Sequence, residues 1–208
     1  MKILEFSIYA LLKTLNMLPR SVQYVLGNFL GHIFFKTLEE RREISRWNLK
    51  KCFPEKKDEE INIILKKSFL LLGKSLFDFL NAFWASDKKL KELLINFEEI
   101  KKVSDLKDPS RGKLILFMHT PNLDLVVRIA SLFMPVSGMA RPQSNKIVDN
   151  LFKASRKKFT ERIFNPDEIL DLLDFLKKGK ACLYAPDQDY GYKSSIFVEF
   201  FGHKALTV

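Results

Sequence analysis

The stretch KLILFMHTPNLD, residues 113–124, decides the fold. Leu114, Ile115, Leu116, Phe117 and Met118 form a short unbroken apolar run, the pattern of a strand buried on both faces. Thr120 and Pro121 then read as an N-cap and first-turn pair opening a helix to about Phe133. The alternation continues downstream. Residues 136–140 are short and strand-like, and 144–159 place Ile147, Leu151, Phe152 and Phe159 at helical spacing. Residues 161–164 read as another short strand. Asn165-Pro166 opens a helix whose last turn holds Lys177 and Lys178, with Gly179 just past it. Residues 181–185 repeat the buried-strand pattern, and 196–201 read as one more strand. Strands alternating with helices predict an α/β fold with a largely parallel central sheet flanked by helices.

Upstream the period is helical. Asp58 precedes Ile61, Ile64, Leu65, Phe69, Leu72, Leu76, Phe79 and Leu80, a helix expected over about 59–84. Residues 39–57 are charge-dense and end at Phe53-Pro54, where a helix should stop. A turn is expected at Asp108-Pro109-Ser110. Residues 3–18 and 22–38 are mostly apolar but interrupted by Glu5, Lys13, Asn16, Gln23, Asn28, His32 and Lys36. Neither is the clean run of about 20 apolar residues that a spanning helix needs. Glu5 and the lack of a small-residue cleavage site also speak against a signal peptide. Flanked by Lys13, Arg20, Arg41 and Arg42, these stretches read as an anchor lying in or obliquely entering one leaflet. The alternative is a pair of buried core helices. The expected organisation is therefore 1–38 as hydrophobic N-terminal helices and 39–208 as the main domain.

Lys and Arg number 35 against 25 Asp and Glu, a net charge of +10 that favours an acidic partner or surface. Basic residues are scattered and carry no recognition motif, so nucleic acid is not expected. Cys52 and Cys182 are too few for a disulfide scaffold and have no metal-ligand spacing around them. No Gly-rich phosphate loop or nucleophile elbow is present.

In open α/β sheets the ligand site lies outside the carboxyl ends of the strands. Three such ends carry polar groups: His119 after the first strand, Arg141 after the second, and Asp187-Gln188-Asp189-Tyr190 after the fourth. His119 and Asp124 form an H-x4-D unit, with Asp124 in the first turn of the following helix. A carboxylate accepting from one imidazole nitrogen leaves the other to take a proton from a hydroxyl. A structural His beside an Asp that complements the helix dipole fits the same spacing. Arg141 suits a phosphate or carbonyl oxygen, or is simply an exposed loop arginine. Asp187 and Asp189 fit a turn closed by Gly191 better than a metal site.

These motifs resemble the lipid A biosynthesis acyltransferases, within the wider lysophospholipid acyltransferase superfamily. RREISRWNLKKCFPEK at 41–56, MHTPNLD at 118–124, MARPQSNK at 139–146 and LKKGKACLYAPDQDYGYKSSIFVEFFG at 176–202 carry the likeness, and APDQDYG is its most specific piece. The resemblance implies the glycerol-3-phosphate acyltransferase-like fold. It implies transfer of a fatty acyl chain from acyl carrier protein to a hydroxyl of a lipid A precursor, at the cytoplasmic face of the inner membrane. His119 would be the general base and Asp124 its orienting carboxylate. Arg141 would bind an acceptor phosphate or the thioester oxyanion, with Arg162 as a second basic contact. Asp187, Asp189 and Tyr190 would shape the site. No metal or organic cofactor is implied; the acyl thioester is a co-substrate. Asp124 stands where the family often has Glu, and Ala140 where an aromatic often precedes Arg-Pro. Family members continue past the Phe-Phe-Gly segment, so the resemblance implies a C-terminal part of the domain beyond Val208. An impaired fragment, or transfer to another glycolipid, are the alternative readings.

Overall fold

The computed structural model describes residues 3–95, Glu99 and 110–208. Its helices are α1 (Ile3–Met17), α2 (Arg20–Thr37), α3 (Glu39–Cys52), α4 (Asp58–Trp84), α5 (Asp87–Glu92), α6 (Leu123–Ala130), α7 (Lys146–Arg156) and α8 (Ile169–Lys177). Its strands are β1 (Lys113–Leu116), β2 (Val136–Met139), β3 (Thr160–Phe164), β4 (Ala181–Tyr184), β5 (Ile196–Phe200) and β6 (His203–Thr207). The chain divides into two compact units, Met1–Leu80 with Asp187–Val208, and Asn81–Pro186. Apart from Ser110, the turn expected at Asp108-Pro109-Ser110 lies outside the described residues.

The Asn81–Pro186 unit holds a four-stranded sheet in the order β1-β4-β2-β3, every neighbouring pair parallel. Parallel neighbours need crossovers, and α6, α7 and α8 supply them in turn. All four carboxyl ends therefore lie at one edge. The pairing runs on past two of them, with Phe117 N donating to Tyr184 O at 3.1 Å and Ala140 N to Phe164 O at 2.9 Å. Helix α8 packs Leu172, Phe175 and Leu176 with Phe164, Cys182 and Met139. Burying Phe164 and Leu172 contributes roughly 1.5–3 kcal/mol each. Gly179 takes φ +74 as it ends α8, and its N–H bonds Leu176 O at 2.9 Å. A second cluster joins Ala82, Ala85, Leu90 and Leu125.

Three sequence expectations change here. The helix after His119 begins at Leu123, not Thr120. The Thr120 hydroxyl donates to Asn122 Oδ1 instead of capping the helix, and Leu123 N closes a tight turn onto Thr120 O. Strand β1 is not buried on both faces. Among the described residues it is an edge strand, and Leu114 and Leu116 are 48% and 64% exposed. The strand expected at 196–201 does form, over Ile196–Phe200, but it pairs antiparallel with β6 in a separate hairpin. Residues 201 and 202 turn that hairpin with φ of 51° and 72°.

In the other unit, α4 buries Ile61, Leu65, Phe69, Gly73, Phe77 and Leu80, a stripe repeating every three or four residues. Leu72 and Leu76, expected on that face, point outward at 38% and 43% exposure. Glycines decide the shift. A Cβ on Gly27 would lie 2.7 Å from Lys74 Cα, and one on Gly31 would lie 2.6 Å from Leu70 Cα. Helices α2 and α4 thus cross at backbone contact, which only small residues allow. Buried Gln23 donates from Nε2 to Leu15 O and Asn16 O, closing the end of α1. No helix among the described residues is long and apolar enough to cross a membrane.

Candidate active site

His119 and Arg141 stand where the strand pattern put them, in loops at the carboxyl edge of the parallel sheet. His119 is exposed, its ring centroid 6.5 Å from that of Phe117. Asp124 lies in the first turn of α6 and is half-buried. Both of its carboxylate oxygens accept from Arg156, the last residue of α7: Nε to Oδ1 at 2.8 Å and one Nη to Oδ2 at 3.2 Å. The guanidinium also lies 4.7 Å from the Phe152 ring centroid. Planar bidentate pairing of this kind is the stronger form of carboxylate recognition. Nothing in the sequence pointed to Arg156. It sits in a basic helix end that reads as solvated surface, 32 residues from its partner.

Arg141, Arg156 and Arg162 are brought together on one cavity of about 290 Å³ between the loop after β2, helix α7 and strand β3. Lys153 and Lys157 add to its wall, so five cationic side chains line it against the two carboxylates of Asp149 and Glu161. Several of these charges are already matched. Lys153 pairs with Asp149 at 2.7 Å, and the Lys153 hydrogen bond, then the Gln143 N–H, holds the Asp149 carboxyl below its ordinary value. Arg162 reaches Asp171 at 2.5 Å and Glu168 at 3.4 Å. The Asp171 hydrogen bond raises Arg162 above its ordinary value. Its guanidinium also stacks 4.4 Å over Phe164.

A larger hollow of about 580 Å³ opens at the amino edge of the same sheet, around Val136 and Lys180. It holds the Arg128–Asp87 and Lys180–Glu161 pairs, and none of the strand-end residues line it. The polar strand-end loops gather instead at the carboxyl edge, where ligands of open α/β sheets bind.

Asp187, Asp189 and Tyr190 belong to the other compact unit. There Asp189 and Tyr190 build a turn. Asp189 Oδ1 accepts from Gly191 N at 2.6 Å, Tyr190 N donates to Ser195 Oγ at 3.0 Å, and Gly191 has φ +81. Asp187 and Asp189 are exposed.

The sequence profile of the family described as bacterial lipid A biosynthesis acyltransferase matches residues 2–208. The chain belongs to that family. Among relatives, it is 31% identical over 186 residues to the lipid A biosynthesis lauroyltransferase of Escherichia coli K12, covering 88% of this chain and 60% of the relative. It is 29% identical over 184 residues to the palmitoleoyltransferase of the same strain, with coverage of 88% and 60%. It is 28% identical over 195 residues to a lipid A biosynthesis acyltransferase of Haemophilus influenzae, covering 92% of this chain and 61% of that protein. The resemblance read from the motifs is thus met across the chain. This acyltransferase-family chain spans about 60% of the length of those relatives.

Proposed function

We propose that the chain serves as an acyltransferase that moves a fatty acyl group from acyl carrier protein to a hydroxyl of a lipid A precursor. The observation that carries this reading is the whole-chain family match combined with His119 and Arg141 in strand-end loops of one parallel sheet. A thioester is already activated, so the enzyme needs a base, an oxyanion donor and positioning. His119 takes the proton from the acceptor hydroxyl as its oxygen bonds to the thioester carbonyl carbon. The tetrahedral intermediate collapses, the C–S bond breaks, and the imidazolium returns the proton to the carrier thiolate. Asp124 orients the imidazole. Arg141 binds an acceptor phosphate or the developing oxyanion, with Arg162 beside it. The scheme calls on no metal or organic cofactor.

The proposed setting is the cytoplasmic face of the inner membrane. Val25 and Phe29 on α2 are 67% and 64% exposed, an apolar surface suited to lying in one leaflet. The net charge of +10 suits an acidic carrier protein, a phosphorylated lipid and an anionic membrane. The test is to incubate the membrane-bound protein with labelled acyl-acyl carrier protein and a tetra-acylated, sugar-bearing lipid A precursor. Labelled penta-acyl product is expected. Its absence from a folded, membrane-associated sample would sink the reading.

A further inference from the structure

We infer that Arg156 is a positioning residue that couples an anion in the cationic cavity to the carboxylate serving His119. The inference rests on the acyl-transfer reading above and deepens it by making the acceptor's negative charge part of the site's assembly.

Two of the Arg156 nitrogens are spent on Asp124. The remaining Nη makes no hydrogen bond among the described residues and is not buried, on a side chain that lines the cavity shared with Arg141 and Lys157. While both Asp124 oxygens face the guanidinium, the carboxylate's charge is matched by Arg156 and supports an imidazolium at His119 less. A phosphate entering beside Arg141 meets that Nη. It offers the guanidinium an anion of the same bidentate geometry. Exchanging one anion for another leaves Arg156 paired, so the swap avoids stranding a cation. Asp124 is then released toward the imidazole, and the base is assembled only when an anionic acceptor is seated. A ligand shifts such an equilibrium only by its differential affinity for the two states, and the phosphate has that difference because only the exchanged state uses it fully.

The test has two arms. In the first, the side-chain Nε–H resonance of Arg156 is followed in the labelled full chain during titration with inorganic phosphate. It is assigned by its loss in Arg156→Lys. It should move from its Asp124-paired position toward the one it holds in phosphate-saturated Asp124→Asn, where phosphate alone faces the guanidinium. A signal that stays in place at every phosphate concentration overturns the coupling, whether or not acyl transfer is found. In the second arm, kcat is compared on the lipid A precursor and on the same lipid after phosphatase treatment. Removing the phosphates should lower wild-type kcat about 5- to 150-fold, the usual range of coupling between sites. Arg156→Gln should close that ratio by gaining turnover on the dephosphorylated acceptor. An arginine that only binds substrate would raise KM for the phosphorylated lipid alone. A merely structural one would lower kcat on both acceptors equally. Either pattern overturns the inference. A wild-type protein with no transfer on either lipid refutes the enzymatic reading instead, and the resonance arm still decides the coupling.

Discussion

The Arg20–Asp78 pair of one unit and the Arg156–Asp124 pair of the other use the same two side chains, and both arginines lie against an aromatic ring. Their surroundings set them apart. Asp78 is buried on the crowded α2–α4 crossing, and Arg20 Nη1 is buried there with no partner among the described residues. No ligand reaches it, so that pair fastens two helices. Arg156 holds Asp124 with two bonds, its third nitrogen is not buried, and the residue lines a cavity together with other cations. A salt bridge is therefore read from what its spare donors face, more than from its own distances.

The largest expected effect breaks the first pair. Asp78→Ala should cost about 3 kcal/mol in urea unfolding, because a largely buried guanidinium loses its counter-charge. Activity per folded molecule should not change. Asp124→Asn should do the reverse. Transfer falls about 100-fold, the scale of a general base that has lost its orienting partner, while stability falls by less than for Asp78→Ala, because the amide oxygen still accepts from Arg156. If both substitutions cost stability alike, the two pairs do the same job and the contrast fails. Arg141→Gln should raise KM for the phosphorylated acceptor about tenfold. Arg162→Gln should change it by less, since Asp171 and Glu168 already occupy that guanidinium.

The smallest effect concerns Cys182, fully buried in β4 of the Asp124 unit. Burial pushes its thiol from 9.0 up to about 11. The folded chain holds that proton more tightly than the unfolded chain. The resulting stability is present in full below pH 9 and is lost as pH rises toward 11. Cys182→Ala should remove that part of the alkaline decline. In the wild type and in Asp124→Asn, slow alkylation of Cys182 under native conditions would report that this unit stays closed.

The strands and their parallel order of connection were legible because a buried strand and a helix leave different periods. So were His119 and Arg141, since topology alone sends strand ends to one edge. The exposure of Leu114 and Leu116 was not legible. An apolar run reads alike at a sheet's centre and its edge, and edge position depends on which strands pair. The α2–α4 crossing does leave a mark in the sequence: Gly27 and Gly31 four residues apart, the small-residue spacing that lets helices touch. Arg156 had none. Its meaning comes from a partner 32 residues away, and no periodicity rule reaches across a crossover.

The most direct measurement compares ester formation by wild type and His119→Ala on labelled acyl-acyl carrier protein and the lipid A precursor, at matched folded fractions. His119 is exposed, so its loss should leave the unfolding curve unchanged. Turnover should fall by about 100- to 10,000-fold, the contribution of a positioned general base. A folded His119→Ala protein that transfers acyl groups at the wild-type rate would contradict the account.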